Sequence, residues 1–405
     1  MSIEERLIRY CKIDTQSDPS NEEVTPSSNK QFDLANLLVE ELKELDLQDV
    51  EVDEHCYVYA KLPTNIEGCS KKIGFIAHMD TAPDFSGKNV QPRIIENFDG
   101  KDIVLNEELT LKMDSFPWMK EFKGKRIMVS DGTTLLGADD KAGIAAIMEA
   151  LVYLCAHPEV KRPNLSIAFT PDEEIGNGAK YFDIKKFDAE FAYTMDGSTV
   201  REMSDETFNA ASAKVSFQGF SIHPGEAKDK MVNAALVASA FAQSLPAHMT
   251  PEHTEGREGF IHLHNIKGDV EKAELEYILR DHDLNKLEEK KVLLEKTVEY
   301  FNHLYGKDRV KIEIKDSYHN MKEVLLEKPE AVNVACCALK ELGIEILNEP
   351  VRGGTDGSQI SFMGIPCPNL GTGGGNFHGP YEYCVIDELE MARDVILKIA
   401  EIVVR

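Results

Sequence analysis

The chain has 405 residues, of which 42% are hydrophobic and 29% charged, and its formal net charge is −26. This length favours two domains, and the composition is that of an ordinary globular protein without the roughly 20-residue apolar run that crosses a bilayer. The negative charge argues against a nucleic-acid partner or an anionic membrane surface, because both recruit basic patches.

The first ten residues are charged throughout, and they lack the apolar core of a signal peptide. The eight cysteines include no Cys-x-x-Cys pair, and most stand in apolar contexts. This pattern is typical of reduced, buried thiols rather than of disulfides or of a thiolate zinc site. We therefore expect a cytoplasmic protein.

Strand-like and helix-like segments alternate in the first half of the chain. The strand-like runs are residues 72–77, 165–169 and 191–195, and the small and apolar residues of 141–154 predict a buried helix. This alternation predicts an α/β domain with a mixed, mostly parallel sheet.

From about residue 209 the pattern changes. An alternating strand is followed by an Ala-rich helix, two more strands, a long amphipathic helix and a last strand. These segments are 213–217, 233–245, 259–267, 273–280, 284–304 and 310–314. The order β-α-β-β-α-β predicts a ferredoxin-like α+β domain.

After about residue 320 the α/β character returns, with a helix predicted at 329–342 and a closing helix at 388–404. The smaller domain is therefore interpreted as an insertion into the larger one. We expect a discontinuous catalytic domain at 1–208 and 319–405, with the ferredoxin-like domain at 209–318.

Glu173 and Glu174 stand side by side directly after the apolar run 165–169. Buried carboxylates are costly unless positive charge compensates them. One glutamate can hold a metal ion while its neighbour takes a proton from water, which is the arrangement of metal-assisted hydrolysis. The alternative is the acidic first turn of a helix.

Two further acidic segments follow a strand or precede a helix. His78 and Asp80 point to the same side of an extended chain, so His78 can bind metal while Asp80 hydrogen-bonds to its ring; a solvated strand end is the alternative. Asp139 and Asp140 precede the predicted helix 141–154, where capping is the alternative. The residues alone leave open which of these two aspartates would be a ligand.

Asp196 follows the strand 191–195, where an ordinary turn is the alternative, and His378 lies in the glycine-rich segment 371–379, where a flexible loop is the alternative. Strand ends in open α/β sheets are where sites usually form. Two histidines and several carboxylates predict a hydrolytic zinc site, often with two ions about 3.5–4 Å apart. Manganese or cobalt would also fit such ligands.

These segments together resemble the dinuclear-zinc family of aminoacylases, glutamate carboxypeptidases and small-peptide aminopeptidases. Three more segments fit that family: His-Pro-Gly at 223–225, Arg-Gly-Gly-Thr-Asp-Gly at 352–357 and Pro-Cys-Pro-Asn-Leu at 366–370. The resemblance covers essentially the whole chain, and within the family it is strongest to bacterial tripeptide aminopeptidases. It implies that the ferredoxin-like insertion is a lid.

The resemblance also implies five metal ligands, with a pair for each of two zinc ions and one bridging residue. His78 and Asp196 would hold one ion, and Glu174 and His378 would hold the other. Asp139 would bridge both ions. Glu173 would be the general base, and Asp80 would orient His78. The peptide bond between the two adjacent aspartates is often cis in such proteins.

The expected reaction is attack of metal-activated water on the first peptide bond of a tripeptide, with release of the N-terminal residue. His223 is the expected oxyanion donor. Selection of tripeptides requires a clamp for the substrate carboxylate, and Arg280 and Arg352 are the candidates, because the guanidinium fork suits a carboxylate.

Other hypotheses keep the site but change its use. The same site could serve a dipeptidase, a carboxypeptidase or an N-acyl amino acid deacylase. A metal-stabilised binding protein is a third hypothesis, although a pure binding site has no use for an unliganded base such as Glu173. Related lids pair to form dimers, so a homodimer is a further expectation.

Overall fold

A computed structural model describes all 405 residues, and the chain forms two compact units. Unit 1 consists of Met1–Asp205, Met321–Glu349 and Thr355–Arg405, and unit 2 consists of Glu206–Asn320 and Pro350–Gly354. The second unit therefore includes a short segment that the sequence places in the catalytic domain.

The helices are, in chain order, Ile3–Cys11 (α1), Gln31–Glu44 (α2), Ala138–Ala156 (α3), Ile184–Phe187 (α4), Ala234–Ser244 (α5), Leu284–Tyr305 (α6), Lys322–Glu327 (α7), Glu330–Glu341 (α8), Asp356–Phe362 (α9) and Ile386–Val403 (α10). None of them combines the length and the apolar character needed to span a bilayer.

The strands are, in chain order, Gln48–Val52 (β1), Val58–Leu62 (β2), Lys72–His78 (β3), Arg93–Ile95 (β4), Ile103–Val104 (β5), Thr110–Leu111 (β6), Ile127–Val129 (β7), Asn164–Thr170 (β8), Phe191–Gly197 (β9), Met203–Ser204 (β10), Asn209–Gln218 (β11), Phe260–Gly268 (β12), Lys272–Asp281 (β13), Val310–Tyr318 (β14), Asn369–Gly371 (β15), Gly374–Gly375 (β16) and Tyr383–Val385 (β17).

The main sheet of unit 1 has seven strands in the order β1-β2-β8-β3-β9-β15-β10. The four central strands, β8, β3, β9 and β15, run parallel to one another. The outer strands β1, β2 and β10 pair in the antiparallel sense. The predicted mixed sheet with a parallel centre is confirmed, and the carboxyl ends of β3, β8 and β9 meet at one edge.

Helix α3 lies in the core of unit 1, in contact with β3, β9, α1 and α10. Its small side chains Ala142, Ala145 and Ala146 are fully buried. Small residues let a helix approach a sheet and other helices closely, which explains why this helix has almost no polar face. The start of α3 is thereby fixed beside the carboxyl edge of the sheet.

A second sheet of unit 1 has the order β16-β17-β7-β4 and was not predicted. Its strands are only two or three residues long. The pairing of β17 with β7 is antiparallel, with Tyr383 opposite Val129 and Val385 opposite Ile127. This pairing places the segment after His378 beside the segment that leads to α3.

Unit 2 has a four-stranded antiparallel sheet in the order β12-β13-β11-β14, packed against α5 and α6. This confirms the predicted β-α-β-β-α-β fold. The predicted apolar stripe of α6, which comprises Leu287, Leu294, Val298 and Phe301, is buried. Asp283 caps this helix by accepting the N–H groups of the first turn.

Arg352 explains why Pro350–Gly354 belongs to unit 2. Its Nη1 donates to the carbonyl oxygens of Gly256 at 2.7 Å and Glu258 at 2.9 Å. Its guanidinium also lies 5.3 Å from the ring centroid of Phe208. These contacts hold the segment to unit 2, and contacts across such a sequence separation leave no local pattern in the sequence.

Candidate active site

The structure brings the predicted metal ligands and the predicted base to the carboxyl edge of the main sheet. His78 ends β3, and Asp196 is the second-to-last residue of β9. Glu173 and Glu174 begin a 3₁₀ turn two residues after β8. Asp139 lies at the start of α3, and His378 lies between β16 and β17.

His78 is buried, and carboxylates face both of its ring nitrogens. Nε2 lies 2.9 Å from Oδ1 of Asp139 and 3.6 Å from Oδ1 of Asp196. Nδ1 lies 3.1 Å from the carbonyl oxygen of Asp80 and 3.3 Å from its carboxylate. A neutral ring with its proton on Nδ1 therefore presents an Nε2 lone pair toward Asp139 and Asp196, as in histidine metal ligands.

His378 approaches the same cluster from the opposite side. Its Nε2 lies 3.0 Å from Oε2 of Glu174 and 3.4 Å from Oδ2 of Asp139. Its φ of +63° puts this residue in the left-handed region. Asp139 thus has one oxygen facing His78 and the other facing His378, which is the position of a bridging ligand.

Asp140 is the other candidate ligand of the adjacent pair, because one of its oxygens lies within 4.8 Å of ligand atoms of His78 and Asp196. However, its Oδ2 accepts the N–H of His78 at 3.1 Å and its Oδ1 accepts the N–H of Gly143 at 3.2 Å. Its oxygens are engaged by backbone donors, whereas those of Asp139 face imidazole rings. The peptide bond between Asp139 and Asp140 is cis.

Asp80 positions the two glutamates as well as His78. Its Oδ1 accepts the N–H of Glu173 at 3.0 Å, and its Oδ2 accepts the N–H of Glu174 at 3.2 Å. Asp80 is completely buried, and these bonds hold the turn after β8 next to the end of β3.

Asp172 fixes the same turn from the other side, a role that the sequence analysis missed. Its carboxylate accepts the N–H and the hydroxyl of Ser27 and the side-chain amide of Gln31, each at 2.6 Å. The only sequence signal for this role was the position of Asp172 directly before two candidate site residues, because its hydrogen-bond partners lie far away in the sequence.

The site places several carboxylates around only two histidines, so positive charge compensates them only in part. Burial, reinforced by the charge of Asp196, raises the pKa of Glu173 well above its usual value. Burial and then the charge of Asp139 raise the pKa of Glu174 to about 8. Oε1 of Glu174 is also buried without a hydrogen-bond partner. Such a cluster fits a divalent cation.

The three predicted substrate-binding residues all belong to unit 2. His223 is exposed at the start of a 3₁₀ turn, and its Nδ1 accepts the N–H of Gly225 at 3.2 Å. Arg280 lies in β13, where its Nη1 donates to the carbonyl oxygen of Leu279 at 2.9 Å and its guanidinium lies 5.2 Å from the ring of Tyr318.

Comparison with protein families gives a match over most of the chain. The sequence model described as "Peptidase family M20/M25/M40" matches residues 110–402. Peptidase T of Staphylococcus carnosus is 53% identical over 398 residues, which is 98% of this chain and 97% of the relative. Peptidase T of Bacillus subtilis is 51% identical over 401 residues, with 98% of each chain covered.

Solved structures share the fold. Aminopeptidase PepT from Bacillus cereus superposes with a TM-score of 0.77 at 22% identity, covering 100% of this chain and 98% of the other. A tripeptidase from Staphylococcus aureus gives a TM-score of 0.78 at 23% identity, covering 99% and 97%.

Proposed function

Because the chain belongs to peptidase family M20/M25/M40, we propose that it is a metal-dependent aminopeptidase that releases the N-terminal residue of tripeptides. The observation that carries this proposal is the position of Asp139 between His78 and His378, beside the Glu173-Glu174 turn. Relatives named peptidase T support the tripeptide as substrate.

We propose two zinc ions as the metals, with manganese or cobalt as alternatives that suit the same imidazole and carboxylate ligands. His78 and Asp196 would hold one ion, Glu174 and His378 the other, and Asp139 both. When bound, the ions supply Lewis acidity that lowers the pKa of water and polarises the scissile carbonyl.

Glu173 acts as the general base and then as the general acid. It accepts the proton of the attacking water and returns it to the amine nitrogen of the leaving dipeptide. Its buried position and raised pKa suit a group that must both take up and release a proton. Asp80 keeps this residue in place through its backbone N–H.

His223 donates a hydrogen bond to the developing oxyanion. Its Nδ1 accepts the N–H of Gly225, so the proton of the neutral ring is on Nε2, which is then the donor. Unit 2, which we interpret as the lid domain predicted at 209–318, supplies this residue.

Arg280 is the leading candidate for the clamp on the substrate carboxylate, and Arg352 is the second. Arg280 donates to backbone carbonyls from Nη1, whereas Arg352 uses both Nη1 and Nη2 to hold residues 254–258. A carboxylate at a fixed distance from the reacting carbonyl would select peptides of one length.

We propose the cytoplasm as the location, because all eight cysteines are unpaired. The partners are small peptides rather than nucleic acids or membranes, in accordance with the net charge of −26. We also propose that the chain can form a homodimer, because the family resemblance implies a lid domain of a kind that can pair with a second copy.

The proposal is tested by measuring release of the free N-terminal residue from an unblocked tripeptide. The matching dipeptide, tetrapeptide and N-acetyl tripeptide are assayed in parallel, after chelation and again after zinc is added. The expected result is metal-dependent cleavage confined to the free tripeptide. Cleavage of the blocked or shorter peptides would favour a deacylase, carboxypeptidase or dipeptidase, and no cleavage would favour a binding protein.

A further inference from the structure

Glu382 is a buried carboxylate that no part of the proposed mechanism uses. It lies directly before β17 and is 1% exposed. Its Oε2 accepts the backbone N–H groups of Leu136 at 2.7 Å and Gly137 at 2.8 Å, and its Oε1 accepts the N–H of Asp139 at 3.1 Å. These three donors form the approach to α3 and its first turn.

The local structure explains why an acidic residue stands here. The first N–H groups of a helix have no partner within the helix, and a carboxylate is an acceptor only, with room for several donors. Lys141 is also buried, and the negative charge of Glu382 acts on its ammonium group. Burial raises the pKa of Glu382 to about 7, and the three N–H groups that it accepts oppose this rise.

Glu382 connects two segments that carry opposite sides of the site. It follows His378 by four residues and accepts from the backbone of Asp139. His378 and Asp139 themselves face each other at 3.4 Å. The antiparallel pairing of β17 with β7 brings the two segments together, and the carboxylate fixes their final spacing.

We propose that Glu382 is a positioning residue that sets the Asp139 carboxylate between His78 and His378 and thereby sets the affinity of the site for metal. This inference rests on the proposed function, because it takes Asp139 to be a metal ligand. Outer residues that hold metal ligands typically contribute tenfold to a hundredfold in metal affinity.

Glu388 provides a matched control in the same unit. It is 4% exposed, and its carboxylate accepts from the backbone N–H of Val200, the hydroxyl of Thr199 and the ammonium group of Lys125. It therefore has the same chemistry and a similar burial as Glu382, but none of its partners is a candidate metal ligand.

The experiment compares metal-free wild type, Glu382→Gln and Glu388→Gln by titration with Zn²⁺ in competition with a chromophoric chelator. Thermal unfolding of each metal-free protein is measured in parallel. We expect Glu382→Gln to bind Zn²⁺ about 10–100-fold more weakly. We expect Glu388→Gln to bind Zn²⁺ like wild type, with a similar or larger loss of thermal stability. Wild-type affinity in Glu382→Gln, or an equal loss in Glu388→Gln, would overturn the inference.

Glu382→Asp keeps the charge and both acceptor oxygens but is one methylene shorter. We expect its Zn²⁺ affinity to lie between those of wild type and Glu382→Gln, and unchanged affinity in a folded Glu382→Asp would overturn the inference even if the glutamine variant does not fold. A wild type that binds no Zn²⁺ contradicts both this inference and the proposed function. A wild type that binds Zn²⁺ without cleaving tripeptides contradicts the proposed function alone.

Discussion

The carboxyl edge of the sheet in unit 1 and the substrate-binding candidates of unit 2 are held in different ways. At the sheet edge, Asp80 and Glu382 are fully buried and fix the backbone of the ligand-bearing turns. In unit 2, His223 is exposed, and its ring bonds only two residues along the chain. The side chains of the first region are thus held by buried contacts from several segments, whereas the ring of His223 is held by one local hydrogen bond.

We propose that unit 1 holds the metals and the general base, whereas unit 2 contributes the oxyanion donor and the carboxylate clamp. Substitutions at the sheet edge should therefore remove metal or abolish turnover, whereas substitutions in unit 2 should leave the metal in place and have graded effects.

The largest effect is expected for Asp139→Ala. Loss of the bridging carboxylate should remove both metals and reduce activity to background, because neither histidine retains its shared partner. Asp140→Asn is the matched control and should keep its metal, because the oxygens of Asp140 accept backbone N–H groups of His78 and Gly143. Metal content per chain measures both. The reverse pattern would make Asp140 the bridging ligand.

Glu173→Gln should lower kcat by about 10²–10⁴-fold, because the amide cannot accept the proton of water. The metal content should equal that of wild type, since Glu173 is assigned no metal. Steady-state kinetics and metal analysis of one sample test this pair of expectations. Substantial residual turnover would mean that another group is the base.

His223→Ala should lower kcat by about 10²–10³-fold, as the loss of one oxyanion donor typically does. Metal should remain bound, because His223 lies in unit 2. Loss of metal in this variant would show instead that His223 is a metal ligand. It would contradict the proposal that unit 1 alone holds the metals.

Arg280→Ala should raise KM for the tripeptide by roughly 10–100-fold, the value of a charged hydrogen bond, with a smaller change in kcat. The same peptide with an amidated C-terminus should respond little to this substitution, because it lacks the carboxylate. If Arg352→Ala shows this selective behaviour and Arg280→Ala does not, the clamp is Arg352.

The last effect concerns pH and belongs to unit 1. Burial raises the pKa of Glu174 to about 8, and hydrogen bonds to Asp139 and Glu174 raise the pKa of His378 to about 11, so both groups are mostly protonated at pH 7 in the metal-free protein. Both groups must release a proton to bind metal, so Zn²⁺ affinity should fall when the pH is lowered from 7 to 6, by up to about tenfold for each of these two protons. Calorimetric titrations in two buffers of different ionisation enthalpy would detect the released protons. No proton release would contradict Glu174 as a ligand.

The sequence predicted the long elements well, because they carry periodic patterns. Strands β3, β8 and β9 read as continuous apolar runs, as buried parallel strands do, and unit 2 showed clear alternation and a helical stripe. Strands β7, β16 and β17 are too short to show a periodic pattern of apolar and polar residues. The contact of Arg352 with residues 254–258, and hence the place of Pro350–Gly354, was likewise invisible.

The candidate site was predictable where chemistry and strand ends coincide. His78, Glu173, Glu174 and Asp196 could be selected because each lies at or directly after the end of an apolar run. The side-chain directions of Asp139 and Asp140 depend on three-dimensional contacts, so the residues alone could not separate them. The supporting carboxylates Asp172 and Glu382 depend on distant backbone donors and were missed for the same reason.

The most direct test of the account is to titrate Zn²⁺ into chelated wild type and Glu173→Gln while following both bound metal and cleavage of an unblocked tripeptide. Wild-type activity should rise with metal up to two ions per chain. Glu173→Gln should bind the same two ions and remain nearly inactive. Cleavage by the chelated wild type, or full activity in Glu173→Gln, would contradict the central claim that this sheet edge performs metal-dependent peptide hydrolysis.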